Sequence, residues 1–513
     1  MKIDSIAIIG AGPGGIAALY EFLNTDKNGN STVGTSRSNE GAFSKIVAFE
    51  QKSRPGGVWA SDFEQQGPLF PSQELLNTGA YNDPSVLHPK RAIPESLEGT
   101  TFQLPLSTNE DISLKELEWS TSGVFSDLFT NVPWRFTRFS YIPNEEKYYD
   151  ESRRIYPFVS QQELTKSLDD FIDKERLVDY IRVNSKVESL EKNSKGKWVL
   201  TVRKLLKKGE YHWYQEEFDG VVVAIGHYSL PNIPHIPGLA QQNELHPGSL
   251  MHAKSFRNAE IFKNQKVVLV GSSISTTNLV QYIVPLAKKV IISRRSVNKI
   301  YPWINDALSS EGIVSKPTIS KIVPEKNEII FSDGSVEKNV DKIVFTTGYH
   351  FHFPFLEDKL KVHSPSNSSR VSGLYYNTFS IDDPSLAAVG ITVSPLTFHT
   401  IEASAAAIAG VWSGAKELPS KEKQREWELS RVKTHGDNLQ FHFYPYDNVK
   451  EEFVDKVHKF SPHNRKSALD IDGQYVNDIP EGTKRLEQIF HKLKSGEYKV
   501  EDTLYPVSNP NRV

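Results

Sequence analysis

Apolar residues fall in short bursts separated by polar and glycine-rich stretches, and the spacing within the bursts changes along the chain. Ile6-Ala7-Ile8-Ile9 is followed at once by glycines and then by Ile16-Ala17-Ala18-Leu19-Tyr20-Glu21-Phe22-Leu23. That order predicts strand, tight turn, helix. Residues 24–42, rich in Asn, Ser, Thr and Gly, predict a solvated loop, and Lys45–Glu50 predicts a second buried strand. From 61 to 150 the periodicity is weak, and a segment of that kind is either functional or disordered. Gln161–Phe171 has helical spacing. Arg182–Leu190, Lys197–Lys204 and Tyr211–Phe218 alternate as a meander of strands does. Val221–Gly226 is an apolar strand ending in Gly.

Leu230-Pro231-Asn232-Ile233-Pro234-His235-Ile236-Pro237-Gly238 reads as a linker and predicts a domain boundary. Beyond it the pattern repeats: strand Val267–Val270, turn Gly271–Thr276, helix Asn278–Leu286, strand Val290–Ser293. Glu328–Phe331 and Ser335–Lys338 predict a hairpin around Asp333-Gly334. Lys342–Thr346 is a further strand running to Gly348. A small-residue helix is predicted over Glu402–Trp412, and residues 420–500 are mostly amphipathic and charged.

Composition narrows the classes. The 513 residues carry a formal net charge of -3, with 60 Lys+Arg against 63 Asp+Glu. That balance argues against a nucleic-acid partner. The apolar share is 38%, or about 44% with the 31 Gly counted in, which is usual for a globular chain. Cysteine is absent, which removes disulfides, thiolate metal sites and dithiol redox chemistry. No apolar run reaches the roughly 18 residues that span a bilayer. Asp4 and the glycines interrupt a signal-peptide reading. The ending Ser508–Val513 matches no retention or peroxisomal address. A cytoplasmic protein is expected, with peripheral association at the endoplasmic reticulum as the variant, and the sequons at Asn30 and Asn367 read as chance matches.

Three motifs carry chemistry. Gly10-Ala11-Gly12-Pro13-Gly14-Gly15 is a G-x-G-x-x-G between a strand and a helix. The first Gly permits the turn, the second lets a pyrophosphate approach, and the third lets helix and strand pack closely. The helix N-terminus then favours phosphate. Glu50, at the end of the next strand, is the acid expected to hold ribose hydroxyls, and the 24–42 loop accounts for its distance from Gly10. Gln51–Trp59 follows, with paired Gly56-Gly57 to run under a flat ligand and Val58-Trp59 as a wall; in series with the first motif it points to a flavin nucleotide. Gly271-Ser272-Ser273-Ile274-Ser275-Thr276 keeps only the first fingerprint glycine, yet Ser272, Ser273 and Ser275 leave room and hydroxyls for phosphate. The next strand ends in Arg294-Arg295 where an NAD site carries an acid, which suits the 2′-phosphate of NADPH.

On these residues the chain resembles the flavin-containing monooxygenases, most closely the fungal branch without a membrane anchor. Further matches are Leu128–Pro133, Asp219–Gly226 with the Pro linker, Thr346–Tyr349, Asp383–Gly390 and Val411–Gly414. The family's identifying pattern F-x-G-x-x-x-H-x-x-x-(Y/F) falls on His246–Phe256, with His246 in place of the leading aromatic. Phe256-Arg257 departs from the ending that related Baeyer–Villiger enzymes favour.

The resemblance implies an α/β fold of two Rossmann-like dinucleotide-binding domains: an FAD-binding domain over 1–227 and 346–513, and an NADP-binding domain over 228–345 inserted into it. It implies that NADPH reduces FAD, that the reduced flavin captures oxygen as a hydroperoxide, and that this oxygenates a thiol, sulfide or amine, a thiol first. FAD would be held by Gly10–Gly15, Glu50, Gln51, Gly57, Val58, Trp59, Thr130, Asn131 and Val187. NADPH would be held by Gly271, Ser272, Ser273, Ser275, Arg294 and Arg295. Asn131 aligns with the family's active-site Asn, whose amide both donates and accepts; without the resemblance it reads as a turn residue before Val132-Pro133.

Two alternatives stand beside this reading: a flavin oxidoreductase that releases peroxide without productive oxygenation, and a non-enzymatic FAD-binding scaffold, kept open by the degenerate Gly271 motif. A homodimer is among the expected states. His350 and His352 share a strand face but lack a third ligand, so no metal is expected. Phe441–Tyr446 reads as core or interface, and Lys207-Lys208 as a solvated hairpin. No G-x-S-x-G or H-E-x-x-H occurs.

Overall fold

The structure, a computed structural model, describes residues 2–60, 70–110, 121–207, 209–356, 359–363, 369–469 and 475–499. The sequon at Asn367, Lys208 and the ending 508–513 lie outside the described residues.

Two mainly parallel sheets organise the chain. The first runs in the order Leu374–Tyr375, Phe379–Ser380, Leu386–Ala388, Gly220–Val223, β1 (Ser5–Ile9), β2 (Lys45–Phe49), Ile181–Arg182. Ile8 pairs in parallel with Ala48 on one side and Val222 on the other, and Val222 pairs with Ala387. These strands are apolar on both faces because both faces are covered. Ile6 and Ile8 pack with helix α1 (Pro13–Leu23) and with helix Thr397–Trp412, while Ala7 and Ile9 pack with the antiparallel meander. The meander strands are Ser185–Lys192, Trp198–Lys207 and Glu210–Phe218, close to expectation.

The second sheet is parallel throughout, in the order Leu250–His252, Lys342–Phe345, Lys266–Val270, Lys289–Ser293, Ile313–Lys316. All its strands lie between the two stretches that build the first sheet, so it is an insertion. The outgoing and returning chains pair with each other, Leu230–Pro231 antiparallel to Tyr349–His350. The Pro-rich linker is therefore half of a two-stranded connection.

Several elements differ from expectation. The second-unit helix spans Ile274–Ile283, so it begins inside the predicted turn. Ile319–Val323 adds a third strand to the predicted hairpin. Within the weakly periodic segment, Leu106–Asn109 pairs with the meander edge. The loop at 24–42 is tied down: Asp26 accepts from Asn28 and Asn30 backbone N–H, and Ser31 N–H donates to His463 O at 2.8 Å. Polar groups that satisfy one another leave no trace in hydrophobic periodicity. His350 and His352 are spent on structure, hydrogen-bonded to Asn82 Oδ1 at 2.9 Å and His88 O at 2.8 Å. Phe441, His442 and Tyr444 are core. Among the described residues no helix is long and apolar enough to cross a membrane.

A buried ion triad, which no pattern announced, joins three distant segments. Arg465 lies 2.6 Å from Glu21 Oε1 on α1 and 2.6 Å from Glu402 Oε1 on helix Thr397–Trp412. Both carboxylates are fully buried. Glu402 also accepts from Ser140 N–H at 2.7 Å. Burial holds the Glu21 carboxyl above its usual range, and Arg465 opposes that shift. Replacing Arg465 with Met should cost about 3–5 kcal/mol near pH 8, because two buried carboxylates lose their partner. Without Arg465, Glu21 rises further. A raised folded-state pKa means stability is present at low pH and lost as pH rises through it. The deficit, read from urea midpoints, is therefore expected to shrink at pH 5; a deficit equal at both pH values would contradict this account.

Candidate functional site

β1 stops at Ile9 and α1 starts at Pro13, so Gly10–Gly12 make the whole turn. Gly10 has φ +97°, and a Cβ there would sit 2.7 Å from Ala224 O. A Cβ on Gly15 would come within 1.9 Å of Gly10 O, so helix and turn touch backbone to backbone. Pro13 occupies the first turn, and no side chain caps Gly12. The orphan N–H groups of an 11-residue helix thus face the turn, as phosphate binding requires.

The second motif lies on the first. Gly57, at φ +63°, faces Gly12 so closely that a Cβ on it would be 2.8 Å from Gly12 Cα. Gly56 N–H donates to Ala11 O at 2.8 Å. Glu50 holds both turns: Oε2 accepts from Ala11 N–H at 2.8 Å and Oε1 from Lys52 N–H at 2.9 Å. The carboxylate is 4% exposed, and burial holds its pKa above the usual value against those two donors and the Lys52 charge. Lys52 Nζ reaches back to Gly57 O at 3.2 Å. Val58 O and Trp59 O accept from Ser122 Oγ at 2.7 Å and Thr165 Oγ1 at 2.6 Å, which fixes the wall residues. Val187 is buried in the cluster that holds Ile9 and Phe49, behind the strand ends, whereas Gln51 is exposed.

Thr130 is an anchor. Its N–H donates to Val159 O at 2.9 Å, its hydroxyl donates to Val132 O at 3.0 Å, and it accepts from Val159 N–H at 3.2 Å. With both neighbours, Thr130 and Val132, buried, Asn131 is left exposed at the top of the turn.

In the second unit Gly271 has φ +132°, and a Cβ there would lie 2.5 Å from Thr346 Oγ1. Thr276 stands where the fingerprint has its third glycine. Thr346 Oγ1 donates to Val270 O at 2.9 Å, so Thr276 Oγ1 donates to Thr346 Oγ1 at 2.8 Å. A buried hydroxyl pair replaces the close helix–strand contact that glycine otherwise permits. Ser272 and Ser275 are half-buried and Ser273 is exposed. Arg294 is half-buried, bonded to Ser309 Oγ at 3.0 Å, and its buried Nη1 has no hydrogen-bond partner; Arg295 is exposed. Asn298 Nδ2 donates to Ser272 O at 3.0 Å and so ties the Arg-bearing loop to the turn.

Sequence reasoning missed the cationic and aromatic groups between the units. His252 accepts from Lys254 N–H on Nδ1 at 3.1 Å and donates from Nε2 to Gly348 O at 3.2 Å. Burial first, and Lys254 next, push it down to about 3, so it stays neutral. Lys254 is 2% exposed and donates to Thr121 O at 2.6 Å. Burial, then the Lys52 and Arg257 charges, bring it down to about 7. Both residues fall inside the His246–Phe256 pattern, whose spacing was the available signal. His246 bonds Pro324 O at 2.9 Å, a role the expected aromatic would not fill. Past the strand that Gly10 packs on, the His227 ring lies 4.2 Å from Tyr228 and 4.3 Å from Phe351, and Tyr228 lies 5.7 Å from Tyr349.

This geometry gives two turns of the dinucleotide-binding type, each at the carboxyl end of parallel strands in its own sheet. The glycine cradle and buried Glu50 suit FAD in the first unit; the serine-lined turn and Arg294 suit NADP(H) in the second. The chain matches the FMO-like family, described as flavin-binding monooxygenase-like, over residues 92–307 and 296–462. It is 30% identical over 487 residues to flavin-containing monooxygenase FMO GS-OX-like 6 of Arabidopsis thaliana, covering 93% of this chain and 86% of that one. It is 28% identical over 421 residues to the trimethylamine monooxygenase of Methylocella silvestris, covering 82% and 76%. Among solved structures, S-allyl-L-cysteine S-oxygenase from Allium sativum superposes with a TM-score of 0.70 at 23% identity over 98% of both chains, which shows the fold. The chain belongs to the flavin-binding monooxygenase-like family: it is a flavin-dependent monooxygenase, and its cofactors are FAD and NADP(H).

The Gly12–Gly57 contact separates ligand from fold. A Cβ on Gly12 would lie 3.4 Å from Gly57 Cα, ordinary contact for the protein itself. Gly12→Ala is therefore expected to keep the circular dichroism of the unmodified protein, and the melting behaviour of its flavin-free form, while losing flavin absorbance. Full flavin retention would remove the pyrophosphate from this turn.

Proposed function

We propose that the protein uses NADPH to oxygenate a soft nucleophilic heteroatom, a thiol or sulfide first and an amine second. The observation that carries this reading is the exposed Asn131 amide, held up by Thr130 where the chain passes from the core of the second unit to that of the first. Relatives named for trimethylamine and for S-allyl-L-cysteine support the substrate class.

In this reading residues 1–227 and 346–513 form the FAD-binding domain and 228–345 the NADP-binding domain. Gly10–Gly15 would hold the FAD pyrophosphate, Glu50 the ribose hydroxyls, and Gly57–Trp59 the flat ring, with Gln51, Thr130 and Val187 as flanking contacts. Gly271, Ser272, Ser273 and Ser275 would hold the NADPH pyrophosphate, and Arg294 with Arg295 its 2′-phosphate. FAD, reduced by NADPH, supplies the electrons that activate oxygen. The chain's own work is to bind, to orient and to keep water out. Asn131 would donate and accept at the reacting centre, so its amide would hold oxygen and nicotinamide groups in place. The Tyr228 and Tyr349 rings, 5.7 Å apart, would offer an aromatic surface to a small apolar sulfide or amine.

Coenzyme choice tests the second unit. A charge-assisted contact is worth roughly 1.5–3 kcal/mol, so NADPH should be preferred over NADH by about ten- to hundredfold. Replacing Arg294 and Arg295 with Ala should erode that ratio through KM for NADPH. Equal use of both coenzymes by the unmodified protein would refute the assignment.

Asn131→Ala tests the site and the class together. Flavin reduction by NADPH should survive it. Product formation should drop about 100–1000-fold, as when one well-placed donor at a reacting centre is removed, with hydrogen peroxide rising to match NADPH consumed. A variant that stays coupled makes Asn131 a turn residue only. An unmodified protein that turns all its NADPH into peroxide with every thiol, sulfide and amine tried would favour the oxidase reading instead.

A further inference from the structure

The segment that carries Asn131 belongs to two hydrophobic cores. Phe125 and Phe129 pack in the core of the second unit with Leu279 and Tyr282, and Tyr282 Oη donates to Asp127 O at 2.8 Å. Val132, Trp134 and Phe136 pack in the core of the first unit with Ile8 and Ile16. Asn131 sits where the chain crosses from one core to the other.

The last described helix, Tyr475–Lys494, makes the same crossing. Ile479 belongs to the first core, while Leu486, Ile489, Phe490 and Leu493 belong to the second. Gly482 lies between them on the buried face. Glycine is among the poorest residues inside a helix, so its presence there calls for a local reason. Pro133 is that reason: a Cβ built on Gly482 would come 2.7 Å from Pro133 Cγ and 3.0 Å from its Cδ. Polar ties flank the contact, with Arg135 paired to Asp478 and Arg485 Nε donating to Tyr156 O at 3.1 Å.

We propose that Gly482 is a positioning residue for the Asn131 turn: its contact with Pro133 lets the crossing helix set where the Asn131 amide stands relative to both cores. This rests on the reading of Asn131 given above. Because the same helix is packed into the second unit, the backbone-to-proline contact joins the seating of that unit to the turn, beside the polar ties that flank it.

The test uses the FAD-loaded full chain in four forms: Gly482→Ala, Pro133→Ala, the double variant, and Asn131→Ala. Gly482→Ala should retain FAD and be reduced by NADPH at the unmodified rate, because neither turn is touched. It should divert oxygen to hydrogen peroxide and speed hydrogen–deuterium exchange in peptides covering residues 128–136. Pro133→Ala removes the two ring atoms that the new methyl would meet. The double variant should therefore recover both the coupling and the exchange protection that Gly482→Ala loses. Recovery in the pair, when Gly482→Ala alone is impaired, is a readout that general destabilisation would not give. If Gly482→Ala cannot be purified folded, Pro133→Ala alone carries the test, since slack at the contact should by itself speed exchange over 128–136. Unchanged exchange and coupling in Gly482→Ala, no recovery in the double variant, or unchanged exchange in Pro133→Ala overturns the proposal. Asn131→Ala separates the two claims. If it stays coupled, the Asn131 reading fails while the exchange data still decide the contact. If it uncouples and Gly482→Ala does not, the contact proposal fails alone.

Discussion

Two glycine turns lie backbone against backbone, Gly12 on Gly57, and the arrangement of the first unit follows from that contact. It needs Gly57 to lack a side chain, because a Cβ there would reach 2.8 Å from Gly12 Cα. Once the turns touch, Glu50 can hydrogen-bond the backbone of each, through Ala11 on one and Lys52 on the other. A carboxylate that is 4% exposed is costly to desolvate and is tolerable only with such donors. The donors exist only while the turns stay together. Contact and charge therefore stabilise each other, and the end of β1, the end of β2 and the start of α1 converge where a dinucleotide would bind.

The second unit solves the same geometric problem with different chemistry. Only Gly271 is retained, at a φ that other residues rarely adopt. Where the third glycine would allow helix and strand to close, Thr276 and Thr346 share a hydrogen bond across the gap. The bond ties the helix start to the end of the neighbouring strand, with Thr346 also bonded to Val270 O and Thr276 also accepting from Ser273 N–H. The motif is degenerate as a string but complete as a turn. That weakens the case for a scaffold without a coenzyme site.

Legibility followed from local rules. The two strand–turn–helix units, the meander and the Asp333-Gly334 hairpin were readable because each rests on residues close in sequence. Glu50 was readable because strand ends and glycines bracket it. The Glu21–Arg465–Glu402 triad was not, since its partners are 444 and 63 residues from Arg465 and none lies in a motif. The pairing of Tyr349–His350 with Leu230–Pro231 was hidden for a similar reason: a two-residue pairing has no period. Thr130 enters as a ligand contact only through the resemblance; that its hydroxyl also bonds the backbone at Val132 and Val159 is visible only in the fold. Lys254 fell inside a recognised pattern, but its depressed pKa comes first from burial and then from the Lys52 and Arg257 charges, which only the fold reveals.

The insertion makes domain placement part of the chemistry. A unit joined only by the ribbon of Leu230–Pro231 and Tyr349–His350 would be free to hinge, since four residues of pairing bury little. Here the segment from Phe125 to Phe136 and the helix Tyr475–Lys494 also cross between the units. Each gives apolar side chains to both cores, so separating the units would expose apolar surface at two more places. Asn131 is on one of these crossings, and the other touches it through Pro133. A residue at such a point is held from both sides, and its position reports how the two cores are seated. If the amide must meet a group on each cofactor at once, the junction of the cores is where a fold of this kind can place it, and a rigid position within either core alone would not serve.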